Sequence, residues 1–189
     1  MEWVAAGGIA LAGVHAIAVP FVLPAFRKHC LPYVAATAEQ ISLVRRACEA
    51  RGVRHLVDLG SGDGVVCIEM ARLGIRTHGV ELNPILVWQS RLAARRANVG
   101  RLATFERGDL FRADISSADA VALFVVPAMM PDLEKKLAAE LRPDALVLAG
   151  RFPLETWTPV DHLVHPRASS GYNVNQLWVY EPGLSISRM

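Results

Sequence analysis

Asp58-Leu59-Gly60-Ser61-Gly62-Asp63-Gly64 is the stretch on which the reading of this chain turns. It continues a short apolar run, His55 to Leu59, and leads into a helical pattern that begins at Val65. A strand that passes through glycines into a helix sets free backbone amides at the helix start against a ligand. Gly60 and Gly62 allow a tight turn and a close backbone approach, because neither carries a Cβ. Such a loop alone is weak evidence, since dinucleotide-binding enzymes use one too. Here the spacing is G-x-G-x-G, and Val65 stands where a dinucleotide loop needs its third glycine. Asp58, just before the turn, offers a carboxylate to a ligand ammonium, whereas Asp63 within it would repel a pyrophosphate.

Two more acidic residues lie farther along, each after an expected strand. Glu81 comes 17 residues past Gly64 (81 − 64) and ends the second strand, where a carboxylate accepts both hydroxyls of a ribose. Gly108-Asp109-Leu110 follows the third strand, where a side-chain carboxylate can accept an adenine amino hydrogen. Any one of these residues, taken alone, reads better as a helix cap or turn residue. Together, an ammonium acceptor, a ribose acceptor and an adenine acceptor describe S-adenosyl-L-methionine. The candidate cofactor set is Asp58, Gly60, Ser61, Gly62, Gly64, Glu81, Asn83, Asp109 and Leu110.

Strands and helices alternate outward from the loop. Helical spacing covers residues 38–51, 65–73, 84–97 and 130–141, the last with Glu134, Lys135 and Lys136 on its wet side. Strands are expected at 55–59, 77–82, 104–107, 120–126, 145–150, 161–165 and 176–180, with a polar hairpin loop joining the last two. The run at 120–126 is apolar throughout, as in a parallel strand covered on both faces. The alternation implies an α/β, doubly wound, Rossmann-like sheet of seven strands, with ligands at the carboxyl ends of its strands.

Composition agrees. The chain of 189 residues is 52% hydrophobic and 20% charged, enough apolar content for a core. A net charge of +2 makes no electrostatic case for a nucleic-acid partner. Cys30, Cys48 and Cys67 fit neither a CxxC pair nor a zinc spacing, so they read as small buried residues and no metal is expected. Arg91, Arg95 and Arg96 read as a solvated helix face; their functional reading is a contact with anionic membrane lipid.

Residues 3–26 differ from the rest. They contain no Asp, Glu, Lys or Arg, and Arg27-Lys28-His29 follow at once. As a helix they would extend about 35 Å, enough to cross a bilayer core. A cleaved signal peptide fits poorly, because the start is Met1-Glu2 rather than basic. A buried soluble helix fits poorly too, because only His15 is polar. A membrane anchor fits best, kinked or shortened by Pro20 and Pro24. The expected organisation is a membrane-associating segment over residues 1–30 and a catalytic domain over 31–183.

The chain also resembles a known family. Val57-Asp58 through Gly64 has the look of class I, seven-stranded methyltransferases. Six further stretches narrow the likeness: Pro20-Phe21-Val22 with Pro24 to Lys28, Cys30 to Val34 with Ala36-Thr37, Glu81-Leu82-Asn83-Pro84 with Leu86-Val87-Trp88, Val126-Pro127 with Met129-Met130, Leu133-Glu134-Lys135-Lys136-Leu137, and Arg151-Phe152-Pro153 with Trp157-Thr158-Pro159. They resemble the mitochondrial ATP synthase c-subunit lysine N-methyltransferase family and its sister, the adenine nucleotide translocase lysine N-methyltransferase. The Leu-Glu-Lys-Lys-Leu and Val-Pro-x-Met-Met stretches favour the c-subunit branch. Val65 and Ala35 depart from it, standing where Arg and Pro are usual.

The resemblance implies trimethylation of a lysine in an inner-membrane protein by S-adenosyl-L-methionine, in the mitochondrion and at its membrane. Tyr33 and Thr37 resemble residues that close over the methionine end of the cofactor. Val126 and Pro127 would set backbone carbonyls beside the substrate amine. Arg151, Phe152 and Trp157, beyond the fifth strand, would shape the substrate entrance, though Trp157 reads equally well as a packing aromatic. The rival readings are a methyltransferase acting on a membrane-soluble small molecule, a NAD-dependent oxidoreductase and an inactive binding module.

Overall fold

The computed structural model describes residues 35–166 and 175–186. Helix α1, Ala38–Ala50, begins at a capping box. The Thr37 hydroxyl accepts the Gln40 N–H, and the Gln40 side chain accepts the Thr37 N–H at 3.0 Å. Its inner face carries Leu43, Val44, Ala47 and Cys48, and Gly52, at φ 62°, follows its end. Next come β1 (His55–Leu59), α2 (Val65–Arg72), β2 (Arg76–Glu81), α3 (Pro84–Arg96) and β3 (Ala103–Arg107). A 3₁₀ turn at Leu110–Arg112 leads to β4 (Ala120–Leu123), and a second at Pro127–Met129 leads to α4 (Met130–Glu140). Then follow β5 (Leu146–Gly150), β6 (Asp161–Val164), β7 (Gln176–Tyr180) and α5 (Pro182–Ser185).

The strands form one seven-stranded sheet in the order β3-β2-β1-β4-β5-β7-β6. Strands β1 to β5 run parallel, and β7 lies antiparallel between β5 and β6. One face packs on α1 and α2 through Leu56, Ala120, Ala122, Leu148 and Leu177. The other packs on α4 through Val57, Leu59, Val121, Leu123 and Val147. Helix α3 joins α2 and β3 in a smaller cluster around Val87, Ala94 and Phe105. Register aligns Leu59 with Leu123 and Val80, and Glu81 with Arg107. The loops after β1, β2, β3 and β4 therefore emerge along one edge. The order reverses between β1 and β4, the switch point where such sheets bind ligands.

Three expectations change. Strand β4 ends at Leu123 rather than Val126, because Val126 caps a 3₁₀ turn with Pro127 at its start. Phe124, at this exit, lies over Gly150, where a Cβ would come within 2.2 Å of its ring. On α4, Lys135 faces water, but Glu134 and Lys136 are buried at 4% and 8% exposure. Each has a partner that the sequence pattern does not reveal. Glu134 accepts from the Thr156 backbone N–H at 3.2 Å, and also from the Glu155 N–H and the Thr156 hydroxyl. The Lys136 ammonium donates to the Ala113 carbonyl and pairs with Glu140 at 2.6 Å. Arg91 is exposed, yet its guanidinium is anchored, donating twice to the Phe105 carbonyl at 3.0 and 2.7 Å.

Cys48 and Cys67 are free and buried, as expected. The apolar stretch 3–26, with His15, lies outside the described residues, as do Cys30 and the loop at 167–173. Among the described residues no helix is long and apolar enough to cross a membrane.

Candidate active site

The glycine turn is held by its own backbone. Gly60 and Ser61 donate their N–H groups to the Val80 carbonyl at 2.9 and 3.1 Å, tying the end of β1 to β2. Gly60, Gly62 and Gly64 have φ of 85°, 54° and 78°, the left-handed region that side chains avoid. Gly64 is also sterically closed, since a Cβ there would lie 2.6 Å from the Phe105 ring and 2.8 Å from Ser90 Cβ. Gly60 is different. Its missing Cβ points into a gap bounded by Leu110 at 3.8 Å and Val125 at 4.0 Å. Leu110 belongs to the set expected from the sequence. Val125 does not, because an apolar residue in an apolar run carries no signal of a binding surface.

Carboxylates surround the turn. Asp58 is 2% exposed, and its partner is the Cys67 thiol at 3.8 Å. Burial, and then the nearby charges of Glu81 and Asp63, push its carboxyl up from 3.8 to about 7. Burial and the Asp58 charge likewise hold the Cys67 thiol well above its ordinary value. Glu81 turns its carboxylate back over the loop, accepting the Gly62 N–H at 3.1 Å and the Asn83 N–H at 2.7 Å. Asn83 caps α3 through its side-chain oxygen, which accepts the Ile85 N–H at 2.9 Å. Asp109, exposed, caps the 3₁₀ turn by accepting the Phe111 N–H at 3.0 Å. Ser90 ties α3 to the turn by donating to the Gly62 carbonyl at 3.1 Å.

This site suits a cation with a hydroxylated, flat remainder. The desolvated Asp58, beside two other carboxylates, is stabilised by a positive ligand group. The gap between Leu110 and Val125, above a glycine with no Cβ, suits an apolar ring surface. S-adenosyl-L-methionine carries both features.

The remaining expected residues divide. Thr37 is committed to the cap of α1 and donates its hydroxyl to Asn175 Oδ1 at 2.9 Å. The Val126 carbonyl accepts the Met129 N–H at 3.0 Å, and the Pro127 carbonyl accepts the Met130 N–H. Each keeps one lone pair. Arg151 has φ 69°, a strained value for a side-chain-bearing residue, and donates to the Ala35 carbonyl at 3.1 Å. Phe152 is half-buried against the core. Trp157 is 6% exposed and packs edge-on against Tyr180, with ring centroids 6.3 Å apart. The backbone just before it, at Glu155 and Thr156, is held by Glu134 of α4, so the structure places Trp157 as a packing aromatic. Tyr33 lies outside the described residues.

Comparison with known proteins assigns the family. Residues 58–161 match the profile described as ANTKMT methyltransferase domain. The chain is 46% identical over 175 residues to the ATP synthase c-subunit lysine N-methyltransferase of Mus musculus, covering 92% of this chain and 67% of that protein. The chain belongs to this methyltransferase family. A family relative, the adenine nucleotide translocase lysine N-methyltransferase of Mus musculus, is 38% identical, over 94% of this chain and 76% of its own length. Among solved structures, an RNA methyltransferase from Salinibacter ruber in complex with S-adenosyl-L-homocysteine superposes with a TM-score of 0.68 at 33% identity, covering 78% of this chain and 93% of that one. A SAM-dependent methyltransferase from Geobacter sulfurreducens, also with S-adenosyl-L-homocysteine, gives 0.52 at 26% identity, over 70% and 52%. The family relatives are lysine methyltransferases, and the fold is that of class I enzymes. The cofactor is S-adenosyl-L-methionine, and the oxidoreductase reading is set aside.

Proposed function

We propose that this family member trimethylates a lysine of the ATP synthase c-subunit at the mitochondrial inner membrane. The observation that supports this choice is the 46% identity to a c-subunit enzyme across 92% of the chain, against 38% to the translocase enzyme. The apolar composition of residues 3–26 supports membrane association of the first 30 residues, with the catalytic domain over 31–183.

S-adenosyl-L-methionine supplies a methyl group activated on a sulfonium. The chain's own part is positioning. Asp58 would face the ammonium of the cofactor, Glu81 would accept the ribose hydroxyls, and Asp109 with Leu110 would meet the adenine. Gly60, Ser61, Gly62 and Gly64 bring backbone close, and Asn83 holds the start of α3. The free lone pairs of the Val126 and Pro127 carbonyls orient the substrate amine, while Arg151 and Phe152 shape its approach. A dry approach lowers the lysine pKa, so the amine arrives neutral and nucleophilic.

The test is mass spectrometry of the organism's c-subunit with and without this protein. Loss of a trimethyl-lysine on deletion is the expected result. An unchanged methylation state overturns the substrate assignment.

A further inference from the structure

Helix α3 has a face that cofactor binding does not use. Its sequence, Pro84-Ile-Leu-Val-Trp-Gln-Ser-Arg-Leu-Ala-Ala-Arg-Arg, contains three arginines and no acidic residue. Leu86, Val87, Ser90 and Ala94 point inward. Trp88 lies on the opposite face and is 63% exposed, more than any other large hydrophobic residue among the described ones. Ile85 and Leu92, half-buried, flank it, and Arg91, Arg95 and Arg96 are exposed on the same side.

On the other long helices the cations have an acidic partner on the same helix, Arg46 of α1 excepted. Arg45 pairs with Glu49 on α1, Arg72 with Glu69 on α2, and Lys135 with Asp132 and Lys136 with Glu140 on α4. Among the described residues α3 has no such pair. The Arg91 guanidinium rests on the neutral Phe105 carbonyl, so its charge stays uncompensated. An exposed indole between aliphatic shoulders, rimmed by unpaired arginines, complements a surface that is anionic outside and apolar just beneath. Phospholipid headgroups over acyl chains have that layering. Nucleic acid offers the charge without the apolar layer, and the chain as a whole carries only +2.

We infer that the outer face of α3 docks on an anionic phospholipid bilayer, with Trp88 seated at the headgroup boundary and Arg91, Arg95 and Arg96 on lipid phosphates. This contact is separate from the choice of methyl acceptor and from residues 3–26, and it is measured without any activity.

The experiment is co-sedimentation of the full chain with vesicles of phosphatidylcholine, and of phosphatidylcholine doped with phosphatidylserine. The wild-type chain is expected to bind the doped vesicles more tightly, with the increment shrinking as salt rises. Trp88→Ser combined with Arg95→Gln and Arg96→Gln should lose that increment, roughly tenfold or more in affinity, while binding to neutral vesicles, which of the three only the indole favours, falls less. Arg95→Lys with Arg96→Lys should keep it, because lysine preserves the charge. Unchanged S-adenosyl-L-homocysteine binding verifies that each variant is folded. An increment that survives in the glutamine variant overturns the inference. So does an increment lost equally in the lysine variant, or a triple variant that loses binding to an RNA oligonucleotide but not to anionic vesicles.

Discussion

The carboxylate of Glu81 accepts the backbone N–H of Gly62 at 3.1 Å, joining the end of β2 to the middle of the glycine turn. The same group therefore shapes the loop and presents its outer lone pairs toward the proposed ribose position. Glu81→Ala removes both functions. Cofactor affinity should fall on the order of 100-fold, since a charged hydrogen-bond acceptor for two hydroxyls is lost. The loop keeps its Val80 tether, so the fold should persist. Calorimetric titration with S-adenosyl-L-homocysteine, beside a circular dichroism melt, checks both halves.

Asp58 should trade stability for binding. Its folded-state carboxyl is raised from 3.8 to about 7, mainly by burial. Between roughly pH 4 and pH 7 the folded chain holds a proton that the unfolded chain has released, so stability falls as pH rises through that window. Above it the full cost of the buried charge is present. Asp58→Asn should therefore stabilise the cofactor-free chain at pH 8 by about 1–3 kcal/mol, and leave it nearly unchanged near pH 4. The same substitution should sharply weaken cofactor binding. In the wild type, affinity should rise as pH increases toward 7, because a cationic ligand favours the ionised form. Parallel melting curves of the two proteins across pH would show instead that Asp58 is not desolvated.

Gly60 and Gly64 should respond differently to the same substitution. Both lie at positive φ, so alanine at either costs about 1–2 kcal/mol of strain. Gly64→Ala also drives a methyl into Phe105 and Ser90, adding roughly 1–3 kcal/mol. Gly60→Ala meets no close atom, only the gap between Leu110 and Val125. Gly64→Ala should therefore be the less stable protein, and Gly60→Ala a folded protein with little cofactor affinity. Urea denaturation and ligand titration separate the two.

Glu134 is predicted to matter for stability rather than for the methyl transfer itself. Glu134→Ala leaves the N–H groups of Glu155 and Thr156 without their acceptor, at a cost of about 2–3 kcal/mol. Thr156→Val removes one of the three donors and should cost less. Urea midpoints of the two variants check the order.

These cases mark what is legible in the sequence. The glycine turn and the strand-end positions of Glu81 and Asp109 can be read because each follows directly on an apolar run or its neighbouring strand. The seven strands can be read from apolar runs, and errors fall at their ends, as at Leu123, where the chain leaves the sheet toward Pro127. Contacts between distant segments stay hidden. Glu134 and Lys136 look like a wet helix face until Thr156 and Ala113 arrive from 20 or more residues away. Thr37 looks free until its hydroxyl meets Asn175, 138 residues on. Trp157 divides evenly between entrance and core until Tyr180 is found against it.

The most direct test of the central claim is transfer of an isotopically labelled methyl group. The purified chain is incubated with labelled S-adenosyl-L-methionine and membranes from cells that lack it, and the products are resolved by peptide mass spectrometry. The account predicts label on one lysine of the ATP synthase c-subunit, and none when Glu81→Ala replaces the wild type. Label confined to the lipid fraction, or undiminished by Glu81→Ala, would contradict it.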